Sequence, residues 1–259
     1  MAWLTAPFAV LVDALSYLFS GAAMLAIRTP EEVPDRRRDG DGRPGMWRDI
    51  AEGCTYVFRS HYLRPLLAEA ATFNLAHETF MIGLLLWLAR DLGMSPAIIG
   101  LVITLAAVGA FVGAAAGARL SGRYGFGRTM LVTMLVGNTA PVAVVWAGDG
   151  GWGTVVLLGA VFVVMGFGIA LANVHNLTLR QTAVPERLRG RVNATYRLVA
   201  WGAVPVGAGL GGVLAASLGN RTGTLVGAAG IAAATLWVAF SVIPRLRHAP
   251  GGSGSGQPA

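Results

Sequence analysis

Long apolar runs, separated by short polar connections, follow one another along most of the chain. We place them at residues 3–27, 66–89, 97–118, 129–147, 152–174, 196–218 and 223–243. Each run approaches the ~20 residues that a helix needs to cross ~30 Å of hydrocarbon at ~1.5 Å per residue. A helix also pairs its backbone amides within its own segment, as a lipid-facing segment must. The pattern therefore predicts an all-α membrane protein with seven transmembrane helices.

The seven predicted helices are unevenly spaced. Residues 1–27 hold one helix, residues 28–64 are mostly polar, and residues 65–244 hold a six-helix bundle with short connections. The start of the polar stretch is rich in proline, glycine and charge, which is typical of a flexible linker. Its second part has apolar residues at positions 47, 50, 54, 57, 58 and 62, which predicts an amphipathic helix on the inner membrane surface. Residues 245–259 are predicted to form a disordered cytoplasmic tail.

Composition and charge agree with a membrane location and add an orientation. The chain is 54% hydrophobic and only 13% charged, against about a quarter charged in soluble domains. All 20 basic residues are arginine, which together with abundant alanine, glycine and valine is typical of a GC-rich bacterial genome. Arginines concentrate in the connections at 28–64, 119–128 and 180–197 and in the tail, whereas those near 90, 149 and 221 have one or none. This alternation predicts an inner-membrane protein with its N-terminus outside and its C-terminus in the cytoplasm.

Other binding partners are disfavoured by the same residues. The arginines are divided among separate loops with few aromatic residues between them, so we expect no nucleic-acid partner. The single cysteine, Cys54, excludes a disulfide within the chain. The four histidines lie on different segments without metal-ligand spacing, and we expect neither a metal ion nor a cofactor. The lipid bilayer is the partner that the composition does predict.

Polar residues stand near the middle of the second predicted helix. His77 and Glu78 are adjacent there, and Asn74 shares a face with Glu78 because the two are four residues apart. Ionisable groups at that depth generally face a cavity or a partner. We take Asn74, His77 and Glu78 as a candidate site for a substrate or a proton; for His77 and Glu78, a structural hydrogen-bonded pair between helices is the alternative. Glu69, close to the helix start, is attributed to the helix N-terminus and the basic inner surface.

Small residues recur on two other helices. Gly109, Gly113 and Gly117 are four residues apart, a spacing that lets two helices approach closely in lipid. The contact they make is either static or a sliding one. Pro205, with Gly207 and Gly211 after it, predicts a bend in the sixth helix.

Four stretches carry a family resemblance. They are "VDALSYLFSGAAMLAIRTPE" (12–31), "EGCTYVFRSHYLRPLLAEAATFNL" (52–75), "LARDLGMSPAIIGLV" (88–102) and "NLTLRQTAVPERLRGRVNATYRLVAWGAVPVGAGLGG" (176–212). They resemble the C-terminal part of a major facilitator superfamily transporter, within the group of the enterobactin exporter and the macrolide efflux proteins. The resemblance implies twelve helices, of which this chain would hold the sixth to the twelfth: one helix and a six-helix half.

The resemblance also implies an activity. It implies export of a small molecule such as a drug, a macrolide or a siderophore, coupled to protons, by a chain that needs a missing N-terminal half as its partner. "GRYGFGR" (122–128) resembles a degraded copy of the superfamily's loop motif, without its usual aspartate. We take Arg123 and Arg128 of this loop, with Arg187 and Arg191, as a candidate cytoplasmic gate.

Two other classes of protein are weighed against a transporter. A seven-helix receptor or sensor has the right number of helices, but a retinal protein needs a lysine and this chain has none. A membrane-embedded enzyme needs a cluster of catalytic polar groups near one interface, where only isolated ones occur. We therefore expect a transporter, not an enzyme.

Overall fold

The computed structural model describes residues 2–26 and 46–248, with side chains at 11, 13–26 and 50–248. The α-helices in this part are α1 (Ala2–Ala26), α2 (Met46–Arg59), α3 (Leu63–Leu86), α4 (Pro96–Tyr124), α5 (Phe126–Thr139), α6 (Trp152–Ala183), α7 (Glu186–Leu218) and α8 (Asn220–Ala239). A π-helical turn, Trp87–Asp91, continues α3, and 3-10 turns at Ala140–Trp146 and Ile243–Arg245 follow α5 and α8. The predicted linker at 28–45 and the last eleven residues of the predicted tail lie outside the described residues.

The prediction of an all-α membrane protein is confirmed. No strand occurs in the described ranges, and six helical segments there are long and apolar enough to cross a membrane, from Leu63–Asp91 to Asn220–Ala239. The first predicted helix corresponds to α1, whose 25 residues extend about 37 Å. The chain divides into two units, Met1–Arg43 and Pro44–Ala259. The second unit contains α2 and the six-helix bundle.

Two helices are much longer than the sequence pattern predicts. Helix α6 has 32 residues and α7 has 33, so that each is about 48 Å long. The prediction ended α6 at 174 and began α7 at 196, where the apolar runs end. Polar residues at these ends remain helical and extend beyond ~30 Å of hydrocarbon. The extra turns place asparagine and arginine side chains beside the centre of the bundle.

Sharp turns join the helices at defined residues. Ser95 caps α4, since its side-chain oxygen accepts a hydrogen bond from the amide of Ile98 at 3.4 Å, and Pro96 follows in the first helical turn. A single residue separates α4 from α5 and α7 from α8. These residues are Gly125 and Gly219, both with φ of 88°, a conformation that favours glycine.

The first residues of the predicted tail lie against the start of α5. Arg245 closes a 3-10 turn, and the chain then runs along the start of α5. The amide of Phe126 donates to the carbonyl of Arg247 at 3.1 Å, and that of Gly127 donates to Leu246 at 2.9 Å. The first amides of a helix have no partner within the helix, so the tail residues supply one. Leu246 and Arg247, at the start of the predicted tail, are therefore hydrogen-bonded to α5.

Glycines bring pairs of helices into backbone contact. On α4, a Cβ at Gly109 would collide with the carbonyl oxygen of Val163, and one at Gly113 would lie 2.6 Å from that of Phe167. Gly117 continues the stripe, with Leu171 as its neighbour on α6. The stripe of small residues on α4 therefore faces α6 along three turns.

Helix α7 meets α3 in the same manner. A Cβ at Gly207 would collide with the carbonyl oxygen of Leu75, and one at Gly211 would lie 3.0 Å from that of Thr79. Pro205 lies inside the helix six residues before Gly211 and has no amide hydrogen to donate to the preceding turn. The contact holds α3 and α7 side by side where both border a cavity.

Candidate functional site

A polar cavity of about 750 Å³ lies between α3, α6 and α7, with one residue from α5. Eleven of its lining side chains are polar or charged: Glu69, Asn74, His77, Glu78, Asn138, Asn173, Asn176, Arg180, Asn193, Tyr196 and Arg197. Those that belong to the predicted apolar runs, among them His77, Glu78 and Asn138, are expensive within a membrane unless they serve a partner or a ligand. The cavity is therefore the candidate functional site.

One face of α3 forms a wall of the cavity. Its lining residues are adjacent pairs that recur every four residues: 69 and 70, 73 and 74, and 77 and 78. Together they cover about half of the helix circumference. His77 Nδ1 lies 3.6 Å from Glu78 Oε1, and both side chains are about a quarter to a third exposed. Phe73 stacks on the His77 ring with the centroids 5.5 Å apart. The two ionisable groups thus face the cavity together, beside an aromatic surface.

Asn74 lines the cavity and also ties two helices together. Its side-chain amide donates a hydrogen bond to the carbonyl of Ala200 on α7 at 2.8 Å. One turn further on, the Thr79 hydroxyl donates to the carbonyl of Gly207 at 3.0 Å. Asn74 therefore has a structural role that the sequence did not suggest, whereas the His77–Glu78 contact lies within a single helix.

The position of Glu69 near the start of the helix suggested that it faces the basic inner surface. The structure places it elsewhere. Its side chain is only 6% exposed and lies in the cavity beside the Asn138 side chain of α5. Asn138 is itself held by a hydrogen bond from its amide to Thr235 Oγ1 at 2.9 Å. Glu69 and Glu78 are nearly opposite around α3, yet both border the cavity because its wall spans half of the helix. The site therefore has two carboxylates.

A second cluster lies on α6 and α7, and two of its residues, Asn176 and Arg180, belong to turns that the sequence prediction left outside the helices. The Asn176 amide donates to the Tyr196 hydroxyl at 2.6 Å, and the Arg180 guanidinium carbon lies 4.1 Å from the centre of the Tyr196 ring. Asn176 Oδ1 and Arg180 Nε are buried without a hydrogen-bond partner. Buried polar atoms are normally paired, so this acceptor and this donor are unusual positions in the wall of the cavity.

The four arginines of the predicted gate fall into two places. Arg187 and Arg191, in the first turns of α7, both pair with Glu52 of α2: Arg187 Nη1 is 3.7 Å from Oε1, and Arg191 Nη1 contacts Oε2. Arg123 and Arg128 are exposed at the α4–α5 turn, where Arg123 lies over the ring of Tyr124. Glu52 is thus the counter-charge that attaches the amphipathic helix to α7.

The attachment of α2 to α7 can be measured through the only cysteine. Cys54 is half-buried, with its Sγ atom 3.9 Å from Thr195 Oγ1 of α7. Replacing Glu52 by glutamine removes the charge that holds both arginines. A partly exposed ion pair contributes up to ~1 kcal/mol, so we expect a maleimide to label Cys54 about threefold faster in Glu52→Gln. The rate is measured on the folded protein at low salt.

The control for this experiment is Glu186→Gln, which removes an exposed carboxylate from the first turn of α7. It should label at the parent rate. High salt should reduce the difference between Glu52→Gln and the parent, because salt screens exposed charges. Equal labelling of all three proteins at low salt would show that Glu52 does not hold α2 in place.

Sequence reasoning missed Glu69, Asn138, Asn176, Arg180 and Tyr196. Asn138 carried a usable signal, since an asparagine within an apolar run generally faces a partner. Asn176 and Arg180 were assigned to a loop because the apolar run ends before them. Their place in the cavity depends on the full length of α6, which the ~20-residue rule underestimates.

Membrane-spanning helices around a polar cavity are the arrangement of a membrane transport protein. The family model described as Major Facilitator Superfamily matches residues 1–206 and, in a second match, residues 71–258. The chain therefore belongs to the major facilitator superfamily and is embedded in a membrane. No curated protein and no solved structure matches it.

Proposed function

We propose that this chain is the C-terminal part of a secondary transporter that exports a small molecule in exchange for protons. It provides the sixth to twelfth helices of a twelve-helix protein in the inner membrane of a bacterium, with the C-terminus in the cytoplasm. The substrate is a drug-like compound, a macrolide or a siderophore, as the resemblance to exporters implies. The cavity between α3, α6 and α7 is the part of the substrate site that this half supplies.

The observation that carries the proposal is the presence of two carboxylates, Glu69 and Glu78, on the wall of one cavity. A carboxylate in a membrane cavity can take up a proton on one side and release it on the other. His77, in contact with Glu78, is placed to pass the proton on. Coupling then requires only that substrate and proton compete for the same groups.

The cavity also has the size and surface of a small-molecule site. Its volume of about 750 Å³ lies within the usual range of ~300–1,000 Å³ for such sites. Phe73 and Trp201 supply apolar surface, while Glu78 and Asn173 supply polar groups. A molecule with an apolar body and a few polar groups fits these walls. In a two-half transporter, the remaining walls come from the other half.

Transport in vesicles tests the proposal. The chain, alone or extended by a preceding five-helix segment, is reconstituted with its cytoplasmic face outward and an acidic interior. The extended protein should accumulate at least one compound from a panel of organic cations, macrolides and catecholate siderophores. The chain alone should accumulate none, because half of the cavity wall is absent.

Two results would contradict this proposal. Saturable uptake by the chain alone would show that no second half is required. If the extended protein takes up a compound equally well with and without the pH gradient, transport occurs without proton coupling.

A further inference from the structure

A second large cavity lies on the outside of the bundle, separate from the polar cavity. It is a groove of about 890 Å³ between the start of α3 and the end of α8. None of the proposed transport residues lines it. The groove contains both a basic end and an apolar wall, and these two parts point to one kind of ligand.

The basic end is formed by three side chains. Arg64 comes from the first turn of α3, Arg245 from the 3-10 turn after α8, and His61 from the connection before α3. All three are exposed. Among the residues that line the groove, every one of them described by the structure, none is acidic. The end of the groove therefore attracts an anion, and two guanidinium groups bind phosphate oxygens well.

The apolar wall continues from the basic end along α8. Leu236, Trp237 and Phe240 line it and are 51%, 52% and 87% exposed. The Trp237 indole donates a hydrogen bond to Thr72 Oγ1 of α3 at 3.1 Å, which fixes the ring across the two helices. Tryptophan is enriched at the boundary between hydrocarbon and headgroups. The wall thus lies at the depth where the first part of an acyl chain runs.

We propose that this groove binds an anionic glycerophospholipid, with its phosphate between Arg64 and Arg245 and one acyl chain along Trp237 and Phe240. Charge complementarity selects the anionic headgroup, and the exposed apolar wall selects a lipid over a free phosphate, which would leave that wall uncovered. Basic pockets between membrane helices bind such headgroups in other proteins. The proposal depends on membrane insertion and not on the transported substrate.

Fluorescence quenching by brominated lipids tests the site on the full chain. The protein is reconstituted in phosphatidylcholine vesicles with a small fraction of phosphatidylglycerol, and either lipid is brominated on its acyl chains. The chain has seven tryptophans, so the signal of Trp237 is the difference between the parent and Trp237→Phe. We expect about a thirtyfold preference of the Trp237 site for phosphatidylglycerol, which corresponds to ~2 kcal/mol from the two arginines near an anionic headgroup.

Three double variants decide between a site and a general attraction. Arg64→Gln with Arg245→Gln should abolish the preference, and Arg64→Lys with Arg245→Lys should retain most of it. Arg119→Gln with Arg247→Gln, which removes two exposed charges outside the groove, should leave it unchanged. If the third variant loses the preference as fully as the first, the attraction is not local. If both lipids quench Trp237 equally in the parent, the groove does not select an anionic lipid. Either result overturns the proposal.

Discussion

Replacing Glu78 by glutamine in the complete transporter should abolish proton-driven accumulation while leaving expression and folding nearly unchanged. Glutamine keeps the shape and much of the hydrogen bonding of the side chain, but it cannot take up or release a proton. The Glu78 side chain is 31% exposed to the cavity, so its removal leaves no large gap in the core. The measurement is uptake into vesicles driven by a pH gradient.

Substrate exchange without a gradient separates coupling from binding. Glu78→Gln should still exchange labelled for unlabelled substrate across the vesicle membrane, since exchange needs no net proton movement. Glu69→Gln should also reduce gradient-driven uptake, because the structure places Glu69 in the same cavity. Glu186→Gln, at an exposed carboxylate of α7, is the control and should behave as the parent does. If Glu78→Gln accumulates substrate at the parent rate under every pH gradient, the His77–Glu78 pair is structural.

Adding one methyl group at Gly207 should destabilise the bundle strongly. Its Cβ would collide with the backbone carbonyl of Leu75, and backbone can yield only if α3 and α7 move apart. Overpacking of this kind costs about 1–3 kcal/mol. Gly109→Ala should act similarly, because its Cβ would collide with the carbonyl of Val163 on α6. The effect is measured by heating the protein in detergent and monitoring the fraction that remains monodisperse.

Each of these variants has a control on its own helix. Gly209 lies on α7 and Gly100 on α4. A Cβ at either position would have no atom of a neighbouring helix within 4 Å. Alanine at an open helical position is favoured by up to ~1 kcal/mol over glycine. Gly209→Ala and Gly100→Ala should therefore unfold at the parent temperature or slightly above it. If Gly207→Ala and Gly209→Ala have the same stability, α3 and α7 adjust without strain. The same result for Gly109→Ala and Gly100→Ala would favour a sliding contact between α4 and α6.

The number and kind of the helices could be predicted because each apolar run is about as long as the bilayer is thick. The ends of α6 and α7 could not, since no hydrophobic signal marks the turns that extend beyond the hydrocarbon. For the same reason, Arg180 was assigned to a loop although it belongs to the cavity.

A single sequence also does not show which side chains contact each other across helices. His77 and Glu78 stood out because they are polar within an apolar run. Glu69 lies beside Asn138 of another helix, and the pairing of Arg187 and Arg191 with Glu52 depends on how α2 packs. These contacts result from tertiary packing, and no spacing along the chain specifies them.

Glu69 and Glu78 lie nine residues apart on α3, which is about 13 Å along the helix axis. This distance is somewhat less than half of the ~30 Å hydrocarbon layer. A charge that crosses the whole layer at 100 mV gains about 2.3 kcal/mol, so a proton passed between these two carboxylates gains about 1 kcal/mol. A transport cycle that uses both carboxylates is therefore electrically sensitive: at equal pH on both sides, the membrane voltage alone biases which carboxylate holds the proton.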